Sequence, residues 1–151
     1  MIFEPYVTVW VWIGTIYLLI LTWQDYKNNM KIDDRHNYFM LGITFGMLII
    51  QNLTFLYVFI SIAINVILLI IVSKSLGGGD RHSMLWVLNG FAFIHPALYI
   101  SYLLSFLAIS IIYIGIIRLI RKKLNIYQQH FPFYPVILIS FIITNIYYLM
   151  Y

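Results

Sequence analysis

Leu76-Gly77-Gly78-Gly79-Asp80 separates two long apolar blocks and contains the chain's only run of three glycines. It ends in one of just five acidic residues among 151. Glycine opens backbone conformations closed to other residues and lets another chain come close. An aspartate after such a run has two readings: an N-cap for the following helix, or a reacting group. The sequence on either side must decide.

That sequence is 63% hydrophobic and 9% charged. Soluble domains carry roughly a quarter charged residues. The composition predicts an all-α, polytopic membrane helix bundle formed as a single domain over residues 1–151. The net charge of +4 then speaks of topology and not of nucleic-acid binding. The absence of cysteine excludes disulfides, Cys-type zinc sites and a thiol nucleophile. Met1-Ile2-Phe3-Glu4-Pro5 lacks the basic region of a cleavable signal, so the first apolar block is expected to remain as an anchor.

Pro5 to Trp23 is uncharged and long enough to span. A polar link over residues 24–37 follows. Residues 38–72 are apolar, and as one helix would measure about 52 Å at ~1.5 Å per residue, against a hydrocarbon core about 30 Å thick. This block must fold back, and Gln51-Asn52 is the polar pair available for the turn. Spans are expected near 38–51 and 54–73. The block from His82 to Pro96 is short; it tilts, sits in a thinned bilayer or packs inside the bundle. Ala97 to Ile117 and Pro132 to Tyr151 complete about six spans. The nine basic residues fall in three links: Lys27, Lys31 and Arg35; Lys74 and Arg81; Arg118, Arg121, Lys122 and Lys123. Six spans put all three links on one side, which the positive-inside rule makes cytoplasmic, with both termini outside. The run at 118–123 is expected to touch anionic membrane lipid.

Asp25, just after the first span, and Asp80, at the start of the fourth, then share the cytoplasmic edge. Two converging carboxylates can share a proton, one acting as general base on water and the other as general acid on a carbonyl oxygen. The chemistry calls for no metal and no cofactor. Gly77, Gly78 and Gly79 would leave room for a substrate backbone. His82, His95 and His130 lack ligand spacing and read as packing or interfacial residues. Asp33 and Asp34 read first as solvated loop acids.

Gly77-Gly78-Gly79-Asp80, with Asp25 upstream at matching topology, resembles the GxGD motif of the type IV prepilin and archaeal preflagellin peptidases. Asp25-Tyr26-Lys27 and Lys31-Ile32-Asp33-Asp34-Arg35 stand where that family carries its first aspartate and basic segment. Phe131-Pro132-Phe133-Tyr134-Pro135 is similar to its proline-bearing last helix. The resemblance implies a cell-membrane aspartyl endopeptidase with catalytic Asp25 and Asp80 at the cytoplasmic face. Its partners would be prepilin- or preflagellin-like precursors with basic leaders, which Asp33 and Asp34 would help attract. The chain departs from the bacterial pattern in Asp33-Asp34, in Arg81-His82 and in lacking the CxxC region, so methyl transfer is not implied. Gln24 before Asp25 differs from the Tyr-Asp pair of presenilin-type members. The alternative is a non-catalytic membrane protein, either a small transporter broken at the glycines or an inactive assembly scaffold. Transporters place such acids near the midplane, whereas these stand at span ends.

Overall fold

The computed structural model describes residues 5–27, 35–51, 53–72, 78–124 and 133–150. Among these residues there are six α-helices and no strand: α1 (Pro5–Lys27), α2 (Arg35–Gln51), α3 (Phe55–Val72), α4 (Gly78–Ile94), α5 (Pro96–Leu124) and α6 (Tyr134–Met150). By length and composition two of them, over Pro5–Lys27 and Pro96–Ile120, are able to cross a membrane. Phe55–Ile71 and Tyr134–Tyr148 are apolar but shorter.

Several helix ends differ from the expected spans. Helix α1 continues to Lys27, which puts Asp25 in its last turn and not in the link beyond. Helix α2 starts at Arg35 and so takes in His36 and Asn37 from the polar link. Helix α4 starts at Gly78, so two of the three glycines are helical and Asp80 lies in the first turn. Helix α5 runs through the basic stretch to Leu124. In each case neighbouring polar residues extend a helix whose backbone hydrogen bonds are already propagating, which costs little per residue. The turn at Gln51 is retained, with α3 beginning four residues later; Asn52 lies outside the described residues.

The junction between α4 and α5 is a single residue, His95. Its amide donates to Phe91 O at 3.0 Å, closing α4. Its Nδ1 accepts from the Ala97 amide at 3.2 Å and its carbonyl accepts from Leu98 at 3.0 Å. The imidazole thus caps a helix whose first residue, Pro96, has no N–H to satisfy. This is a more specific job than the packing role expected of it.

Helix α4 is the hub. It packs against α2, α3, α5 and α6, while α1 packs against α2 and α6. Ser83, Trp86, Val87, Leu88, Asn89, Phe91 and Phe93 are all buried, covering every side of the helix, as expected for a central helix. The short block at 82–96 therefore packs inside the bundle. Its polar groups find partners there. Asn89 Oδ1 accepts from Asn65 Nδ2 of α3 at 2.8 Å, and Asn65 Oδ1 accepts from the Tyr99 hydroxyl of α5 at 2.8 Å. Asn89 Nδ2 donates to Leu85 O at 2.9 Å. One amide pair and one phenol thereby join three helices.

The outer faces are apolar. Phe55, Phe59, Ile67 and Ile71 of α3 and Leu104, Ile111 and Leu119 of α5 are all more than half exposed. The most apolar helix, α3, keeps an asparagine, Asn65, fully buried while its isoleucines point outward. Such a polar-inside, apolar-outside arrangement reverses the pattern of a surface helix in water.

An aromatic cluster fills the half of the bundle away from Asp25. Trp10 meets Trp86 and Phe91 edge-on, with ring centroids 6.0 and 5.4 Å apart, and Phe141 at 5.3 Å. The Trp10 N–H donates to Thr44 Oγ1 at 3.0 Å. The indole lies flat against Gly90, where any Cβ would overlap it. Gly90→Ala is therefore expected to destabilise the protein by about 1–3 kcal/mol through overpacking. Gly115→Ala, at a helical glycine whose added Cβ meets nothing within 4 Å, should leave stability unchanged or slightly raised. Thermal unfolding of both variants in detergent checks the contrast.

Candidate active site

At the end of the bundle where α1 finishes and α4 and α6 begin, two carboxylates are buried together. Asp25 is 5% exposed and Asp80 9%. Charged residues are almost never this buried without a specific reason. Tyr134, at the start of α6, lies within electrostatic range of both. Tyr134 is itself buried.

The local sequence of α6 explains how Asp25 is held. The first amides of a helix lack partners within it. Here the amides of Val136 and Ile137 turn back to Phe133 O at 3.0 and 3.2 Å. Pro135 has no N–H. The one remaining donor of that turn is the Tyr134 amide, and it hydrogen-bonds to the Asp25 carboxylate. The last turn of α1 is thus fastened to the first turn of α6, whose N-terminal end carries partial positive charge. The other carboxylate oxygen, Asp25 Oδ2, is buried and has no hydrogen-bond partner among the described residues. A buried polar atom left unpaired is costly and uncommon, and calls for an explanation.

Asp80 is in the first turn of α4. Ser83, one turn further on and on the same side of that helix, joins a buried polar cluster with Asn37 of α2, Trp86 of α4 and Tyr134 of α6. Ser83 Oγ lies 2.5 Å from Asn37 Oδ1 and 2.9 Å from the Tyr134 hydroxyl oxygen. Asn37 Nδ2 lies 3.2 Å from that oxygen, and Trp86 Nε1 3.4 Å from Asn37 Oδ1. The protons in this cluster can be assigned by elimination. An indole N–H only donates, so Asn37 turns its carbonyl to Trp86 and its amide N–H to Tyr134. A hydroxyl has one proton, and Ser83 commits it to the acceptor-only Asn37 Oδ1. The Tyr134 O–H must then be the donor across its contact with Ser83.

Of the expected site residues, Asp25 bonds to the Tyr134 main chain and Asp80 lies within electrostatic range of the Tyr134 hydroxyl. Gly78 and Gly79 form the first turn of α4. Gly77, Asp33 and Asp34 lie outside the described residues. The rings of His36 and His82 pack on Tyr17 and Tyr38, with centroids 5.9 and 5.3 Å apart, which agrees with a packing role; His130 lies outside the described residues. The sequence reading did not single out Asn37, Ser83 or Tyr134. Their signal was present: the Asp80–Ser83 spacing of one helical turn, and a tyrosine immediately before the proline of a last apolar block.

No family model matches this chain, and no curated protein or solved structure matches it either. The resemblance to the GxGD peptidases therefore rests on the motif residues themselves.

Replacing Asn37 by Leu would leave the Ser83 hydroxyl, the Trp86 N–H and the Tyr134 hydroxyl each short of a partner. An expected loss of about 1–3 kcal/mol follows for each buried group left unsatisfied. Chemical denaturation should rank Asn37→Leu well below Ser83→Ala, which removes a single hydroxyl.

Proposed function

We propose that this chain is a membrane aspartyl endopeptidase that removes basic leader peptides from prepilin- or preflagellin-like precursors at the cytoplasmic face. The observation that supports it most is the unpartnered, buried Asp25 Oδ2 at the same end of the bundle as a second buried carboxylate, Asp80. An acceptor without a donor, next to a group able to hold a proton, is what a water-activating pair requires.

In this reading a water sits against Asp25 Oδ2. Asp25 takes its proton as the hydroxyl adds to the scissile carbonyl carbon. Asp80, protonated at that moment, gives its proton to the carbonyl oxygen. Collapse of the tetrahedral diol breaks the C–N bond, and a proton returns to the leaving nitrogen. Gly77, Gly78 and Gly79, having no side chain, would leave room for an extended substrate backbone beside Asp80.

The membrane reading goes with it. All six helices are proposed to cross the bilayer, with both termini outside. The exposed isoleucines, leucines and phenylalanines of α3, α5 and α6 would then face lipid. The 17 residues of α4 extend about 26 Å at ~1.5 Å per residue, slightly less than the hydrocarbon core. A helix enclosed by four others need not match lipid thickness. The basic residues would cluster on the side of Asp25 and Asp80, where they fit the positive-inside rule.

Asp25→Asn and Asp80→Asn should each lower cleavage of a leader-bearing precursor by about 10²–10⁴-fold or more, with insertion and folding retained. The wild-type kcat/KM should be bell-shaped in pH, because one acid must be ionised and the other protonated. Normal cleavage by either variant would rule the pair out. Since the chain has no cysteine, topology is testable by single substitutions. Asn52→Cys should react with an impermeant maleimide from outside the cell, and Asn125→Cys only after permeabilisation. The reverse pattern would overturn the orientation.

A further inference from the structure

Tyr134 touches both halves of the candidate site through different parts of the residue. Its main-chain N–H holds Asp25 of α1. Its hydroxyl bonds to Ser83, one turn along α4 from Asp80, and to Asn37 of α2. Ser83 and Asn37 are both fully buried and Tyr134 is 1% exposed, so water is poorly placed to replace the phenol. Helices α1 and α4 each pack on α6, and at this end of the bundle Tyr134 hydrogen-bonds to a residue of each.

We propose that Tyr134 is the positioning residue of the site: it sets how far apart, and in what orientation, the Asp25 and Asp80 carboxylates stand. This inference deepens the peptidase reading and rests on it for its kinetic consequence, but the geometric claim stands apart from activity. Removal of the hydroxyl cuts the hydrogen bond between α6 and Ser83 and lets the first turn of α4, with Asp80, move relative to α6, while Ser83 keeps its bond to Asn37. The main-chain bond to Asp25 survives, so only one of the two carboxylates is released. A shift on the order of 1 Å between reacting groups costs about 10²-fold in rate, while the binding of a long substrate segment far from that atom is little changed.

The test has two arms. In the first, full-length protein in proteoliposomes is assayed on a fusion carrying a Lys/Arg-rich leader before an apolar helix of about 20 residues. Tyr134→Phe should lower kcat about 10- to 100-fold with KM within about twofold. Ser83→Ala should lower it in the same direction, and the double variant should be no worse than Tyr134→Phe, because the two hydroxyls act as one unit. A wild-type kcat for Tyr134→Phe alongside inactive Asp25→Asn would sink the positioning role and leave the peptidase reading standing. Normal cleavage by Asp25→Asn would instead remove the peptidase reading.

The second arm decides the positioning claim whichever way the first falls. Asp25→Cys and Asp80→Cys are introduced together and joined with a short bis-thiosulfonate in membranes. Cross-linking should be efficient with Tyr134 present and fall several-fold in the Tyr134→Phe background. Equal cross-linking in both backgrounds would overturn the inference. Equal yields for an Asn65→Cys and Asn89→Cys pair in the two backgrounds control for general loosening of the bundle.

Discussion

Helix α4 carries Asp80, Ser83 and Asn89 into the centre of an apolar bundle, and the burial of those groups constrains everything around it. An amide or hydroxyl without a partner in such surroundings costs several kcal/mol. Neighbouring helices therefore supply matching groups: Asn37 from α2, Asn65 from α3 and Tyr134 from α6, with Tyr99 of α5 in turn donating to Asn65. Their hydrogen bonds are directional, so they fix the depth and rotation of α4 in a way that aliphatic contact alone does not. Mutual satisfaction is a condition for any of these groups to be buried, which makes the polar interior an all-or-nothing arrangement.

The two ends of the bundle are held by different physics. Away from Asp25, large aromatic rings pack edge to face, and Gly90 makes room for the Trp10 indole. Shape dominates there. At the end bearing Asp25 and Asp80 the contacts are polar and short, and the first turn of α6 bonds to the last turn of α1 and to Ser83 of α4. Rigidity at the far end can hold helix directions while the near end keeps one acceptor, Asp25 Oδ2, without a partner. Proteins tolerate such locally unfavourable groups where the surrounding structure holds them in place, and the proposed chemistry gives this one a purpose.

Much of the architecture is readable along the chain because lipid-length apolar blocks and polar links differ so sharply in composition. The break after Gln51 is expected from length, since 35 apolar residues in one helix would be longer than a bilayer core. The helix ends are less readable. Asp25, Asn37 and the stretch after Arg118 are helical although their composition is that of links, because a growing helix recruits adjoining polar residues cheaply. Asp25 and Asp80 stand out in sequence because acids are so scarce. Asn37, Ser83 and Tyr134 do not, since serine, asparagine and tyrosine are common at the ends of apolar helices.

By itself, the sequence determined the helical class, the positions of the links, the segregation of basic residues and the pair of acids worth attention. These depend on composition and on distance along the chain. Only the tertiary structure decided that the short fourth block is the central helix, that the last two glycines of the Gly77–Gly79 run belong to its first turn, and that Tyr134 bonds both to Asp25 and to Ser83. Those outcomes depend on which faces meet. Residues 25, 37, 83 and 134 are brought together by helix packing and by the directionality of hydrogen bonds, neither of which leaves a periodic trace in a linear chain.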